Sequence, residues 1–211
     1  MKNLYIVGAR GFGREIFYLA KESIGFQTEY KIAGFLDDNA SALDDYKGYP
    51  SVISSVEAYE PKENDVFIVA LGDVKYKKKY IDILNSKGAN FYSLIHKDAY
   101  ISPNTTIGKG CIVCAYVRIS CDVEVGDYNT FQPFSVVGHD VKIGNGCHFN
   151  TYSFMGGFVV VEDEVTLHTG AIIHPHKVVR RNSTVGAGAV VIRNVQENST
   201  VYGNPAKKLI L

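Results

Sequence analysis

Gly8-Ala9-Arg10-Gly11-Phe12-Gly13 and, further on, Asp37-Asp38 are residues of the kinds that hold a phosphorylated ligand. A glycine turn leading into a helix points backbone N–H groups and the positive end of the helix dipole at one spot, where a phosphate can bind. An acidic pair about 25 residues later, at the end of the next strand, can accept hydrogen bonds from a ribose or a base. The glycines fall in the order GxxGxG rather than GxGxxG, which favours a mononucleotide or sugar nucleotide over a nicotinamide cofactor. Arg10 and Arg14 lie on this turn, either meeting phosphate or solvated at the helix start. The same turn also serves plain strand-to-helix packing, so alone it assigns no ligand. Six histidines supply groups that change charge near neutral pH. Cys111 and Cys114 have CxxC spacing, which raises disulfide and metal readings.

The first of these residues need a strand–turn–helix frame, and residues 1–94 provide it. Asn3 to Val7 reads as a strand, and Arg14 to Ser23 carries Ile16, Phe17, Leu19 and Ala20 at amphipathic helical spacing. Lys31 to Leu36 and Asp65 to Leu71 read as further strands, the second followed by Gly72-Asp73. Lys75 to Ser86 reads as another helix. Together they form a Rossmann-like βαβ domain.

From Ile101 to Val191 the pattern changes, and every sixth residue is apolar. A period of six suits neither a helix, which needs 3.6, nor one continuous strand, which needs 2. It suits a coil of three short faces, each sending one apolar residue inward and stacking into a parallel sheet. Small or turn-tolerant residues recur just after the inward one (Ser102, Gly108, Ser120, Gly126, Gly138, Gly144, Asn150, Gly156, Gly186), and are expected to supply the open dihedrals of the corners. A second inward set comes four residues after the first: Cys111, Val117, Val123, Ser135, Val141, Cys147, Val159, Val165, Ala171 and Ala189. Three hexads make a coil of eighteen residues, giving about five coils from Ile101 to Val191 within a second domain of residues 95–211. Cys111 and Cys147 then lie two coils apart, roughly 10 Å at strand spacing. The cysteines therefore read as small core thiols.

The bulk numbers exclude several classes. The 211 residues hold 22 Lys plus Arg against 22 Asp plus Glu, leaving no basic surplus for nucleic acid or a membrane surface. The apolar run near Met1 is too short for a signal peptide, and no segment approaches the ~20 apolar residues of a membrane span. A cytoplasmic protein is expected.

GARGFGRE, GFLDDN and VALGD, then the hexad repeat, then YGNPAKKL at the end resemble the bacterial sugar acetyltransferases of the sialic-acid O-acetyltransferase type. That group includes N-acetyltransferases of nucleotide-linked amino sugars. The resemblance implies a left-handed parallel β-helix after the Rossmann-like domain, a homotrimer, and acetyl-CoA held between neighbouring β-helices, with no metal. It places the nucleotide sugar in the first domain, at Gly8, Gly11, Gly13, Asp37, Asp38, Gly72 and Asp73. It makes His139 the general base with Asp140 beside it, and puts His148 near acetyl-CoA. The terminal GNPAKK implies contacts to coenzyme A from Pro205 and Lys207, and the Gly186-Ala187-Gly188 run is expected to admit the thin pantetheine arm. The sequence departs from the group in Gly138 before the histidine and in Asp140, shorter than the commoner Glu.

Such a pair fits the reaction, because an amine or hydroxyl must lose a proton as it attacks a thioester, and a neighbouring carboxylate can hold the imidazole tautomer. The eighteen-residue register adds that His139 stacks between Cys121 and Gly157, with Pro175 beyond. Gly157 is expected to leave space for a thioester beside the imidazole and to offer its N–H to an oxyanion. Acetylation of a 4-amino group on a nucleotide-linked deoxy sugar is the leading expectation. O-acetylation of sialic acid or a capsular sugar, and a non-catalytic sugar-nucleotide scaffold, are the alternatives. His168, His174 and His176 raise a zinc carbonic anhydrase reading, but their spacing does not match that ligand pattern.

Overall fold

A computed structural model of the protein describes residues 1–209. The chain divides into two compact units, Met1–Lys97 and the chain from Asp98 onward. In the first unit, β1 (Lys2–Val7), β2 (Tyr30–Leu36), β3 (Val52–Ser54), β4 (Asp65–Val69) and β5 (Asn90–Phe91) form one sheet in the order β3-β2-β1-β4-β5. All four pairings are parallel. Two helices, α1 (Gly11–Glu22) and α2 (Val74–Ser86), connect them. α1 starts three residues earlier than its apolar spacing suggests, so the glycines of the turn form its first turn. β1 runs on into α1 and β2 on one side and pairs with β4 on the other. The strand order therefore reverses at β1, and the crevice beyond the carboxyl ends of β1 and β4 is where such sheets bind ligands.

The second unit is a parallel β-helix. One face stacks six strands from Tyr100–Ile101 to Val190–Val191, and a second stacks five from Thr106–Ile107 to Val178–Val179. The third runs from Ile112–Val113 through Thr184–Val185 to Thr200–Tyr202, where Lys207–Lys208 closes it in antiparallel pairing. Strand partners are eighteen residues apart, as in Arg118 with Val136 and Val136 with Phe154. The step shortens only at the last coil, where Thr184 meets Thr200. The hexad apolar residues from Val113 to Val191 are all buried, and so is every member of the second inward set. Ile101 and Ile107, at the open start of the stack, are half-buried. No disulfide joins the four cysteines among the described residues, and Cys111, Cys114 and Cys147 are buried core thiols.

The corners are not where the small residues fall. Every sixth residue from Gly110 to Gly188 has φ between 51° and 70°, and only Gly110, Gly146, Gly170 and Gly188 of these are glycines. The others include Tyr116, Asp122, Phe134, Asp140, Phe158, Glu164 and His176. Left-handed backbone costs an L-residue about 1–2 kcal/mol. At most of these corners the N–H reaches back to the preceding coil: Asp140 donates to the Cys121 carbonyl at 3.1 Å, and Phe158 donates to the His139 carbonyl at 3.0 Å. Leaving such a donor unpaired would cost about 1–3 kcal/mol, enough to offset the strain.

The small residues expected at the corners serve close stacking instead. A Cβ on Gly126 would stand 2.6 Å from the Gly144 carbonyl oxygen, and one on Gly138 would stand 2.8 Å from the Gly157 nitrogen. Gly126→Ala should therefore overpack the stack and lose about 1–3 kcal/mol. Glu164→Gly should hold or raise the melting temperature, since relief of about 1–2 kcal/mol of left-handed strain outweighs glycine's entropy cost of about 0.5–1 kcal/mol. Thermal unfolding checks both, and a harmless Gly126→Ala with a damaging Glu164→Gly would contradict this assignment of the two positions.

Candidate active site

A cavity of about 630 Å³ opens at the switch point of the first unit. Gly8, Gly13, Asp37, Asp38, Gly72 and Asp73 line it, together with Arg10, Phe12, Tyr76 and Tyr80; Gly11 does not. Gly8 has φ 97°, and a Cβ on Gly13 would stand 1.9 Å from the Gly8 carbonyl oxygen, so these two glycines let α1 start against the end of β1. Arg10, the N-cap of α1, makes no side-chain capping bond, and the first turn carries no acidic residue. The opening N–H groups and positive dipole of a twelve-residue helix are therefore available to an anion. Arg10 lines this cavity, whereas the Arg14 guanidinium lies 3.6 Å above the centre of the Tyr46 ring.

The three acidic residues divide their labour. Asp37 accepts from Ala9 N–H at 2.8 Å through one oxygen and from Asn39 N–H at 2.9 Å through the other, tying the end of β2 to the glycine turn. Asp73 caps α2, accepting from the N–H groups of Lys75 and Tyr76. Asp38 is exposed and accepts from the Tyr80 hydroxyl through one oxygen. Burial, and then that bond to Asp38, push the Tyr80 phenol well above its ordinary range, so it stays a donor. Asp37 spends both oxygens on backbone N–H groups, whereas Asp38 lines the cavity with only side-chain partners, the Tyr80 hydroxyl and the Glu57 carboxyl. Asp37→Ala should accordingly cost about 1–3 kcal/mol in denaturant unfolding by stranding two backbone donors. Asp38→Ala should stay within about 0.5 kcal/mol. Equal losses would contradict this division.

In the second unit, His139 follows the strand Val136–Val137, and Asp140 occupies the next left-handed corner with φ 57°. That turn brings the Asp140 carboxylate back onto its neighbour, 2.8 Å from His139 Nδ1. The side chains are 53% and 42% exposed, so the ion pair contributes about 0–1 kcal/mol. Ring contacts are of similar size, at about 0.5–1.5 kcal/mol per aromatic pair. His139 has one: the Phe158 ring stands perpendicular to it, with centroids 5.2 Å apart. Gly157 is not open space. A Cβ there would lie 2.7 Å from both Cε1 and Nε2 of His139, so the imidazole itself occupies the room the glycine leaves. The arrangement presents one nitrogen to a carboxylate and leaves the other for proton transfer.

The other predicted residues fall elsewhere. His148 lies on the third face, in the column Thr130–His148–Thr166, and is buried at 3% exposure. The space beside Gly186 is filled by the Tyr202 ring, 2.0 Å from where a Cβ would sit, while Gly188 is an open corner. Ala187, Pro205 and Lys207 are exposed on the final coil and its cap. His168 and His174 are exposed, and His176 stacks on Phe158 with centroids 4.9 Å apart and planes 6° apart. Among the described residues no group of three or more His, Cys, Asp or Glu is placed to hold a metal ion. The sequence offers Phe158, within the bulky run Phe154-Met155-Gly156-Gly157-Phe158, for shaping the acceptor side or for aromatic packing and not as a neighbour of His139, and Tyr80 went unread. Eighteen-residue stacking does place Phe158 above Asp140, but nothing marks Tyr80 as a partner of Asp38.

Residues 3–84 match the family model of the PglD N-terminal domain, and residues 90–191 match that of the GMPPB C-terminal domain. The GDP-perosamine N-acetyltransferase of Escherichia coli O157:H7 is 27% identical over 202 residues, covering 95% of this chain and 83% of that one. The acetyltransferase domain of PglB from Neisseria gonorrhoeae FA1090, solved with acetyl coenzyme A, superposes with a TM-score of 0.86 at 28% identity over 99% of each chain. PerB from Caulobacter crescentus, solved with CoA and GDP-perosamine, superposes with a TM-score of 0.86 at 26% identity, covering 99% of this chain and 98% of that one. A short α/β unit followed by a parallel β-helix is the architecture of these acetyltransferase structures. Over nearly its whole length the chain is similar to sugar N-acetyltransferases, among them structures solved with acetyl coenzyme A or with CoA and a nucleotide-linked amino sugar.

Proposed function

We propose that the chain transfers acetyl from acetyl-CoA to the 4-amino group of a nucleotide-linked deoxy sugar, with His139 as the general base. The observation that carries this is the His139–Asp140 corner, in which Nδ1 is held by the carboxylate at 2.8 Å. The amine nitrogen attacks the thioester carbonyl and gives a proton to His139 Nε2. The oxyanion that forms is met by the Gly157 N–H, and its collapse breaks the C–S bond and expels the thiolate of CoA, which takes the proton back from the imidazolium. Asp140 stabilises that imidazolium and fixes its tautomer.

The nucleotide belongs in the cavity of the first unit, with its phosphates at the start of α1 and Asp38 reading the ribose or base. Acetyl-CoA is proposed to run from Gly157 to Ala187, Pro205 and Lys207; His148 is buried and the Tyr202 ring fills the space beside Gly186, so the contacts expected of those two residues are not carried forward. The homotrimer belongs to the same proposal. Tyr116, Phe134 and Tyr152 stack into an exposed ridge at 5.2 and 5.1 Å, and Phe154 and Ile172 on the adjoining face are exposed as well. This outward apolar band on the face that leads to His139 suits a neighbouring β-helix. A cytoplasmic location accords with both substrates being cytoplasmic metabolites.

Assays with acetyl-CoA and a panel of GDP-, UDP-, dTDP- and CMP-linked amino and hydroxy sugars test the reading. The expected result is turnover of an amino sugar, with His139→Ala lowering kcat about 10²–10⁴-fold and Asp38→Asn mainly raising KM for the nucleotide sugar. Full turnover by His139→Ala, or turnover confined to hydroxy sugars, would overturn it.

A further inference from the structure

We propose that Phe158 is a positioning residue for the transfer, holding the His139 imidazole so that Nδ1 stays on Asp140 and Nε2 faces the acceptor. This rests on the reading of His139 as the base. An exposed histidine with a single hydrogen bond is free to turn, because its second side-chain torsion is broad and nearly two-fold. At this corner the ring has a floor and a wall. The floor is Gly157, where any Cβ would come within 2.7 Å of Cε1 and Nε2. The wall is the Phe158 ring, perpendicular at 89° with its centroid 5.2 Å away.

The wall is itself fixed from two directions. Phe158 sits in the left-handed corner conformation with φ 60°, and its N–H donates at 3.0 Å to the carbonyl of His139, the residue whose ring it contacts. In the next coil, His176 stacks on Phe158 almost parallel, with centroids 4.9 Å apart and planes 6° apart. His176 is held in turn by donating its N–H to the Gly157 carbonyl at 3.0 Å. Three corner residues and one glycine thus brace a side chain that a solvent-exposed carboxylate alone would hold loosely. Phe158 carries no proton. A group that only orients the base acts on turnover rather than on substrate affinity.

Phe158→Leu removes the ring while keeping an apolar residue that is not β-branched under the same left-handed strain, and Phe158→Tyr keeps the ring. With acetyl-CoA and GDP-perosamine as substrates, Phe158→Leu should lose kcat about tenfold with both KM values within about twofold, and Phe158→Tyr should recover wild-type kcat within about twofold. Long-range ¹H–¹⁵N spectra of the histidine rings, with the His139 signals identified by their loss in His139→Ala, give a second readout independent of turnover. Wild type and Phe158→Tyr should show one tautomer with the proton on Nδ1, and Phe158→Leu a mixture. Unchanged kcat and an unchanged tautomer in Phe158→Leu would overturn the positioning role, as would a kcat loss that appears only with a matching fall in melting temperature. If none of the nucleotide-linked amino sugars of the panel, GDP-perosamine among them, is turned over, or if His139→Ala stays active, the proposed function fails, while the spectra still decide whether Phe158 orients the ring.

Discussion

At most corners of the β-helix a backbone N–H reaches a carbonyl of the coil beneath, and that bond organises the second unit. It holds tyrosine, aspartate, phenylalanine, glutamate and histidine in a left-handed conformation they would otherwise avoid. It also locks successive coils at eighteen residues, so that columns of like position run the length of the stack. Buried polar residues follow the same logic. Asn129 faces the core, donates to the carbonyls of Gly126 and Gly144, and accepts from Cys147 N–H, which satisfies its amide within the stack.

The chemistry grows out of this corner geometry. A residue at the end of a strand followed by one in the left-handed region has its neighbour's side chain folded back toward it, and here these residues are His139 and Asp140. The short aspartate reaches the imidazole because the backbone supplies the turn. The following coil then places Gly157 under the ring and Phe158 beside it, both fixed by the same register. A helix or an irregular loop would need separate supports for each of these contacts. A coil of fixed length supplies them together.

The hexad made the β-helix and its inward residues legible, because burial of one face leaves a strict trace in the apolar pattern. The corners were not legible, since glycine marks both positive φ and close approach of two backbones, and composition cannot separate these. Gly126 and Gly138 prove to be close-approach positions, whereas the strained corners fall on Tyr116, Phe134 or Glu164, which carry no turn signature. In the first unit the glycine turn and acidic pair pointed to residues that line one cavity, Gly11 excepted. The different tasks of Asp37 and Asp38 depend on hydrogen bonds to Ala9, Asn39 and Tyr80, partners that spacing does not reveal. Strands β3 and β5, only three and two residues long, are too short to leave a pattern.

The proposed transfer requires the sugar amine to be delivered to the half-exposed His139 imidazole at its corner of the β-helix. The most direct measurement is a crystal structure of the protein with CoA and a nucleotide-linked 4-amino sugar. The expected result is the amine nitrogen about 2.6–3.2 Å from His139 Nε2, or one water away, with the nucleotide phosphates at the start of α1. An amine bound far from His139, or a nucleotide bound away from the glycine turn, would contradict the assignment.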